Sequence, residues 1–122
     1  MSWLYVFLGG GLGSLARYGI GRWWPPIELL RGDFPWPTFW ANVLACGVLG
    51  LGVALASREW LGRPLQLLLL TGFCGGFSTF STFALELFGL GEEGHWPVLV
   101  SYLLSSLLVG VGTLGGLIWW LR

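Results

Sequence analysis

The residues that could do chemistry are concentrated in one stretch, Thr71-Gly72-Phe73-Cys74-Gly75-Gly76-Phe77-Ser78-Thr79-Phe80-Ser81-Thr82-Phe83, in which the triplet Ser-Thr-Phe occurs twice. Residues three apart share a helix face, so Phe80 and Phe83 are expected to stack one turn apart, with Thr79, Thr82 and Glu86 as a neighbouring polar stripe. An aromatic ring has a negative face and a positive edge. Two ring edges together with hydroxyl or amide donors could therefore hold a small anion without a full positive charge. The same spacing also serves plain core packing, and each residue taken alone is ordinary. Further polar groups are scattered through the expected spans: Asn42, Thr38, Tyr102, Ser105 and Ser106, with Arg17 near the end of the first span and Glu86 at the end of the third.

The elements that must position these groups follow from composition. The chain has 122 residues, 55% of them hydrophobic and only 10% charged; six Arg balance six Asp and Glu, and Lys is absent. A soluble domain carries about 25% charged residues. A surface this poor in charge excludes a cytosolic enzyme, a basic nucleic-acid binder and a disordered tail. The 21 Gly and 9 Trp suit membrane helices and their interfaces. A bilayer core of roughly 30 Å needs about 20 mostly apolar residues to cross it. Four segments qualify, at 2–21, 38–57, 64–88 and 96–121, and they leave no room for a soluble domain. The expectation is one integral membrane domain, all-α, with four transmembrane helices. The first segment has neither a basic leader nor a small-residue cleavage site, so it reads as a retained span.

The third span is not expected to be a plain helix. Each Gly disfavours a helix interior by about 1 kcal/mol relative to Ala, and three Gly followed by hydroxyl residues fall near mid-membrane. A broken helix at that depth must be buried in protein or line a wet cavity. Its freed carbonyls suit a cation and its freed N–H groups an anion. The competing explanation is close packing, since Gly72-x-x-x-Gly76 fits the small-xxx-small pattern, as do Gly9-x-x-x-Gly13 and Gly112-x-x-x-Gly116; the last two are read as packing. Cys46 and Cys74, lacking a C-x-x-C pair or a His partner, read as small buried residues. His95 reads as an interfacial side chain.

Arg counts set orientation. Arg58, Arg63 and Arg122 fall on one side and Arg17, Arg22 and Arg31 on the other. Three against three gives no strong orientation signal: either another feature fixes a single topology, or the protein inserts both ways and pairs antiparallel, which suits a small four-span chain.

Three blocks resemble the Fluc (CrcB) fluoride channel family. Gly10-Gly11-Leu12-Gly13-Ser14-Leu15-Ala16-Arg17-Tyr18 is similar to its first-helix signature, Thr38-Phe39-Trp40-Ala41-Asn42-Val43 to its second-helix Asn motif, and Gly72 to Phe83 to its broken third helix. The departures are mild: Ser78 where Thr is frequent, and Ser14 where Ala is common. The resemblance implies a passive fluoride channel of the cell inner membrane, lowering cytoplasmic fluoride. It implies an antiparallel, dual-topology homodimer with two pores along the subunit interface. Phe80 and Phe83 would offer ring edges to fluoride and Asn42 an amide. Ser81, Thr82, Ser106, Tyr102, Glu86 and Thr38 would line the polar track, and Arg17 the vestibule. A structural Na⁺ would sit at the break on main-chain carbonyls of Gly75 and Ser78 from both subunits.

The alternative of the same size is a dual-topology, proton-coupled multidrug exporter. That chemistry needs an acid embedded in the first span, where this chain has none. A non-transporting assembly subunit would explain the Gly patterns but not the doubled Ser-Thr-Phe or Asn42. No nucleophile–base pair, metal cluster or nucleotide motif suggests an enzyme or ATP coupling.

Overall fold

The computed structural model describes residues 1–24 and 32–121. Glu28, Arg31 and Arg122, which enter the charge reading, lie outside the described residues. Within them the chain is helical, without strands. Helix α1 is Ser2–Trp23 and ends where Trp24 turns extended. Helix α2 is Trp36–Ser57, with proline in its first turn, where a missing N–H costs nothing. It stops at Arg58, and Glu59 follows with a left-handed φ of 62°.

The third span is composite. It opens with α3 (Arg63–Leu65), continues as a π-helical segment Gln66–Cys74, and closes its first half with α4 (Gly75–Phe77). Ser78 and Thr79 are extended, and α5 (Phe80–Glu92) forms the second half. A turn through Gly94, at φ +77°, leads to α6 (Trp96–Leu121).

The break therefore falls after the glycines rather than on them. Glycines run through the helix and serve packing. A Cβ on Gly76 would lie 2.3 Å from Gly10 O, and one on Gly72 2.9 Å from the Gly9 Cα. Reciprocally, a Cβ on Gly13 would meet Phe73 O at 2.2 Å. Backbone thus lies on backbone between α1 and the first half of the third span. Gly112 and Gly116, expected to pack, face open space within this chain, with nothing within 4 Å of a Cβ at either. The α2–α6 contact uses Gly50, against Leu114, and Gly110, against the Cys46 sulfur.

Two core clusters flank the break. Phe77, just before it, packs with Ala41 and Ala45 of α2 beside Ala16 and Ile20 of α1. Phe83, just after it, packs with Phe39, Val43, Leu90 and Tyr102. Helix α2 spans both clusters and so fixes one half of the third span relative to the other.

Three stretches are long and apolar enough to cross a membrane: Trp36–Ser57, Arg63–Glu92 and Trp96–Leu121. The expected first span is present as α1 and matches α2 in length, at 22 residues. It is less apolar than the other three, diluted by glycines and by Arg17 and Arg22. Leu, Val and Phe side chains cover the outer surfaces, and each Trp stands at or near a helix end, with Trp3, Trp23 and Trp119 largely exposed. That distribution is the aromatic girdle of a multi-pass membrane protein.

Candidate functional site

The break opens onto a concavity of about 240 Å³. Asn42, Ser78, Thr79, Phe80, Phe83 and Ser106 line it, with Cys46 and Leu107 completing the wall. Helix α2 supplies Asn42 and, one turn on, Cys46; α6 supplies Ser106 and Leu107; the break and α5 supply the rest. Elements far apart in sequence thus bring hydroxyls, an amide and two aromatic rings to one place.

Asn42 is bonded to the break itself. Thr79 N–H donates to Asn42 Oδ1 at 2.8 Å, and Asn42 Nδ2 donates to Thr79 O at 3.3 Å. The Thr79 hydroxyl accepts from Thr82 N–H at 3.3 Å, capping α5. Ser78 Oγ donates to Cys74 O at 2.8 Å, closing the end of α4. An Asn amide has two N–H donors, so one remains for a ligand in the concavity. The Ser106 hydroxyl oxygen is buried with no partner among the described residues, a further group able to serve a small guest.

The two Phe rings lie 6.4 Å apart at 54°, tilted rather than stacked. They also differ in setting: Phe80 is 80% exposed and Phe83 8%. Their three-residue spacing puts them on adjacent parts of one helix surface, but that surface crosses from the core to the outside of the chain. Phe83 presses edge-on against Tyr102, with centroids 4.9 Å apart at 69°.

Behind Phe83 lies a second polar group. Glu86 is buried and accepts from Thr38 Oγ1 at 3.0 Å and from the Tyr102 hydroxyl at 2.8 Å. One donor satisfies each carboxylate oxygen, as a buried acid requires. Phe34 also lies edge-on to Tyr102. The expected stripe of Thr79, Thr82 and Glu86 does not form as one helical face, because Thr79 is the extended cap outside α5.

The remaining sequence-derived residues lie apart. Ser81 is exposed on the outer face of α5, and Thr82 is half-buried. Arg17 is half-buried on α1, its Nε enclosed without a partner among the described residues. Gly75 is exposed, and nothing stands within 4 Å of where its Cβ would be.

Cys46 and Leu107 are not expected from the sequence as wall residues, and Thr79 is expected only in a helical polar stripe. Cys46 carried a signal: it is four residues after Asn42, hence on the same helix face. The role of Thr79 depends on its being extended, which its spacing does not reveal.

Comparison with known proteins gives a consistent picture. A family model described as CrcB-like protein, Camphor Resistance (CrcB), matches residues 4–117. A protein of Phocaeicola vulgatus named fluoride-specific ion channel FluC is 39% identical over 113 residues, covering 90% of this chain and 89% of the relative. A protein of the same name from Nitrobacter winogradskyi is 36% identical over 122 residues, covering 93% and 92%. One from Saccharophagus degradans is 36% identical over 110 residues, covering 89% and 80%.

Proposed function

Because the chain belongs to the CrcB-like family, whose model spans nearly its whole length, we infer that it is a fluoride-specific ion channel of the cell membrane. It is not an enzyme: its work is passive passage of fluoride down the gradient, which lowers cytoplasmic fluoride. The observation that carries the reading is the pairing of full-length relatives named as fluoride channels with a concavity of neutral donors at the helix break.

Fluoride is small and strongly hydrated, so a pore must replace its water with many good donors. The free Asn42 N–H, the Ser106 hydroxyl and the edges of Phe80 and Phe83 are such groups. None carries a full charge, which keeps binding favourable but shallow, as conduction requires. In a dry setting each donor is worth more than in water, and a narrow path with few alternatives discriminates against the larger chloride. Thr38, Tyr102 and Glu86, with Ser81 and Thr82, continue the polar track, and Arg17 draws anions toward its vestibule.

The working unit in this proposal is an antiparallel, dual-topology homodimer of four-span subunits with two pores along its interface. The outward face of α5, with Phe80, Ser81, Leu85 and Phe88 exposed, supports it, because Phe80 cannot work as a pore wall while it faces lipid. A structural Na⁺ is proposed on the main-chain carbonyls of Gly75 and Ser78 from both subunits. The fit is good: Thr79 N–H, the helical partner of Gly75 O in a continuous helix, goes to Asn42 instead. Extended Ser78 likewise turns its carbonyl out of the helical ladder. Bound there, the cation would supply positive charge and tie the two breaks together.

A proton-coupled drug exporter is not favoured. Helix α1 has no acid, and Glu86 is enclosed between Thr38 and Tyr102.

The test is fluoride efflux from liposomes holding the purified protein, with chloride efflux measured beside it. Rapid fluoride loss with chloride retained is expected. Retention of fluoride by well-folded protein in the presence of Na⁺ would overturn the channel reading.

A further inference from the structure

We propose that Asn42 is the positioning residue that keeps the third span broken, and that it thereby links the anion donor to the carbonyl offered to a cation. The geometry carries this. In a helical residue the N–H and C=O point in opposite directions along the axis, so one side-chain amide cannot reach both. In an extended residue they point to the same side, which is how paired β-strands exchange two bonds between two residues. Thr79 is extended, at φ −148° and ψ 118°, and Asn42 bonds both its N–H and its C=O. The pair of bonds exists only in the broken form. A continuous helix would leave the Asn42 amide without either partner beside an apolar core, a costly arrangement.

The consequence extends in two directions. Thr79 N–H is held by Asn42, so Gly75 O is released from its helical donor. The Asn42 amide is held in one orientation, because only Oδ1 can accept from Thr79 N–H, and its second N–H is therefore aimed by the break. One side chain on α2 thus sets the break, frees a carbonyl on one side of it and fixes a donor on the other. The proposal rests on the channel reading only for the use of that second N–H; the hold on Thr79 stands apart from transport.

Two variants separate the parts. Asn42→Asp keeps an acceptor for Thr79 N–H but removes the donor and adds charge. Asn42→Leu removes both. Hydrogen exchange of the Thr79 amide is the first readout, by mass spectrometry with fragmentation across 75–83. Exchange in Asn42→Leu is expected to be about tenfold faster than in wild type, the scale of one lost hydrogen bond, while Asn42→Asp stays near wild type. Equal exchange in Asn42→Leu and wild type would overturn the proposal. Should Asn42→Leu fail to fold, wild type alone decides: Thr79 N–H must exchange more slowly than Ser81 N–H, which lies in the first turn of α5 but is not the amide that the Thr79 hydroxyl caps. Faster or equal exchange at Thr79 would overturn the hold.

The second readout is Na⁺ titration of the melting temperature. Asn42→Leu is expected to need about tenfold more Na⁺ than wild type for half-saturation, whereas Asn42→Asp, which keeps the acceptor and adds negative charge, should need no more than wild type. A merely structural loss would lower melting equally with and without Na⁺, and that result would overturn the link to Gly75. So would the absence of any Na⁺ effect on wild type. Fluoride efflux should be lost in both variants. If wild type itself carries no fluoride, the channel reading fails while the exchange result still decides the hold on Thr79.

Discussion

Before the break, the third span meets α1 backbone to backbone: Gly72 and Gly76 lie against Gly9 and Gly10 with no space for a side chain between them. After the break, α5 meets its neighbours through side chains, with Glu86 reaching Thr38 and Tyr102 and with Phe83 and Leu90 in the core. Its other face, with Phe80, Leu85 and Phe88, is left outward. The first half is fixed by the absence of side chains and the second by a small set of specific ones. Two extended residues thus join a rigid glycine half to a half adjustable through its side chains, and in the proposed dimer the outward face would meet a second copy.

The largest break in this comparison comes from a single methyl group in the glycine half. Gly76→Ala would set its Cβ 2.3 Å from Gly10 O, and backbone cannot rotate away as a flexible side chain can. Overpacking of this kind costs about 1–3 kcal/mol or more, so loss of the folded peak in size-exclusion chromatography is expected. Gly112→Ala, with nothing within 4 Å, is the matched control and should leave a single chain undisturbed. A Gly76→Ala protein with the melting temperature of wild type would mean the two helices are not in backbone contact.

Next in size are the rings, which divide the adjustable half into inner and outer parts. Phe83→Ile should cost more stability than Phe80→Ile, since Phe80 touches little of its own chain. Both Ile variants should still lose most fluoride efflux while the dimer forms. Wild-type efflux from both would reduce the rings to packing.

The contrast between the halves also shows what could be read from sequence. Helix number and approximate extent follow from apolar runs bounded by charge, and the presence of a break followed from Gly and hydroxyl residues at membrane depth. Its location did not. Gly tolerates a break and close packing equally, and Gly9 and Gly10, some sixty residues away, decide which applies at Gly72 and Gly76. Asn42 and the Phe pair were legible as candidates because a polar amide inside an apolar run needs a partner. That the partner is the backbone of Thr79 was not legible, since any residue has a backbone. The difference between Phe80 and Phe83 was likewise hidden, because spacing gives a shared face but not where the core ends across it.

The buried carboxylate gives a smaller effect. Tyr102→Phe removes the donor to Glu86 Oε1 and leaves that oxygen unsatisfied, at about 1–3 kcal/mol. Thermal melts should show Tyr102→Phe combined with Glu86→Leu to be less damaging than the sum of the two changes, because the pair is lost together. Strict additivity would mean that the 2.8 Å contact contributes nothing to holding α5 on α6.

The gentlest test leaves the fold alone and asks only which side of the break is wet. Cys46 is half-buried on the wall of the concavity, one turn beyond Asn42, whereas Cys74 is buried in the π-helical segment that lies against α1. A small charged thiol reagent should therefore modify Cys46 well before Cys74. Attachment at Cys46 fills a space of only about 240 Å³ beside Asn42 and Ser106, so fluoride efflux should fall in proportion to labelling. Cys46→Ala should conduct like wild type and resist the reagent, since losing one sulfur atom from a wall perturbs little. Full efflux after complete labelling of Cys46 would move the anion path away from this concavity, and with it the role given to the adjustable half. Labelling of Cys74 first would show the glycine half to be the open one.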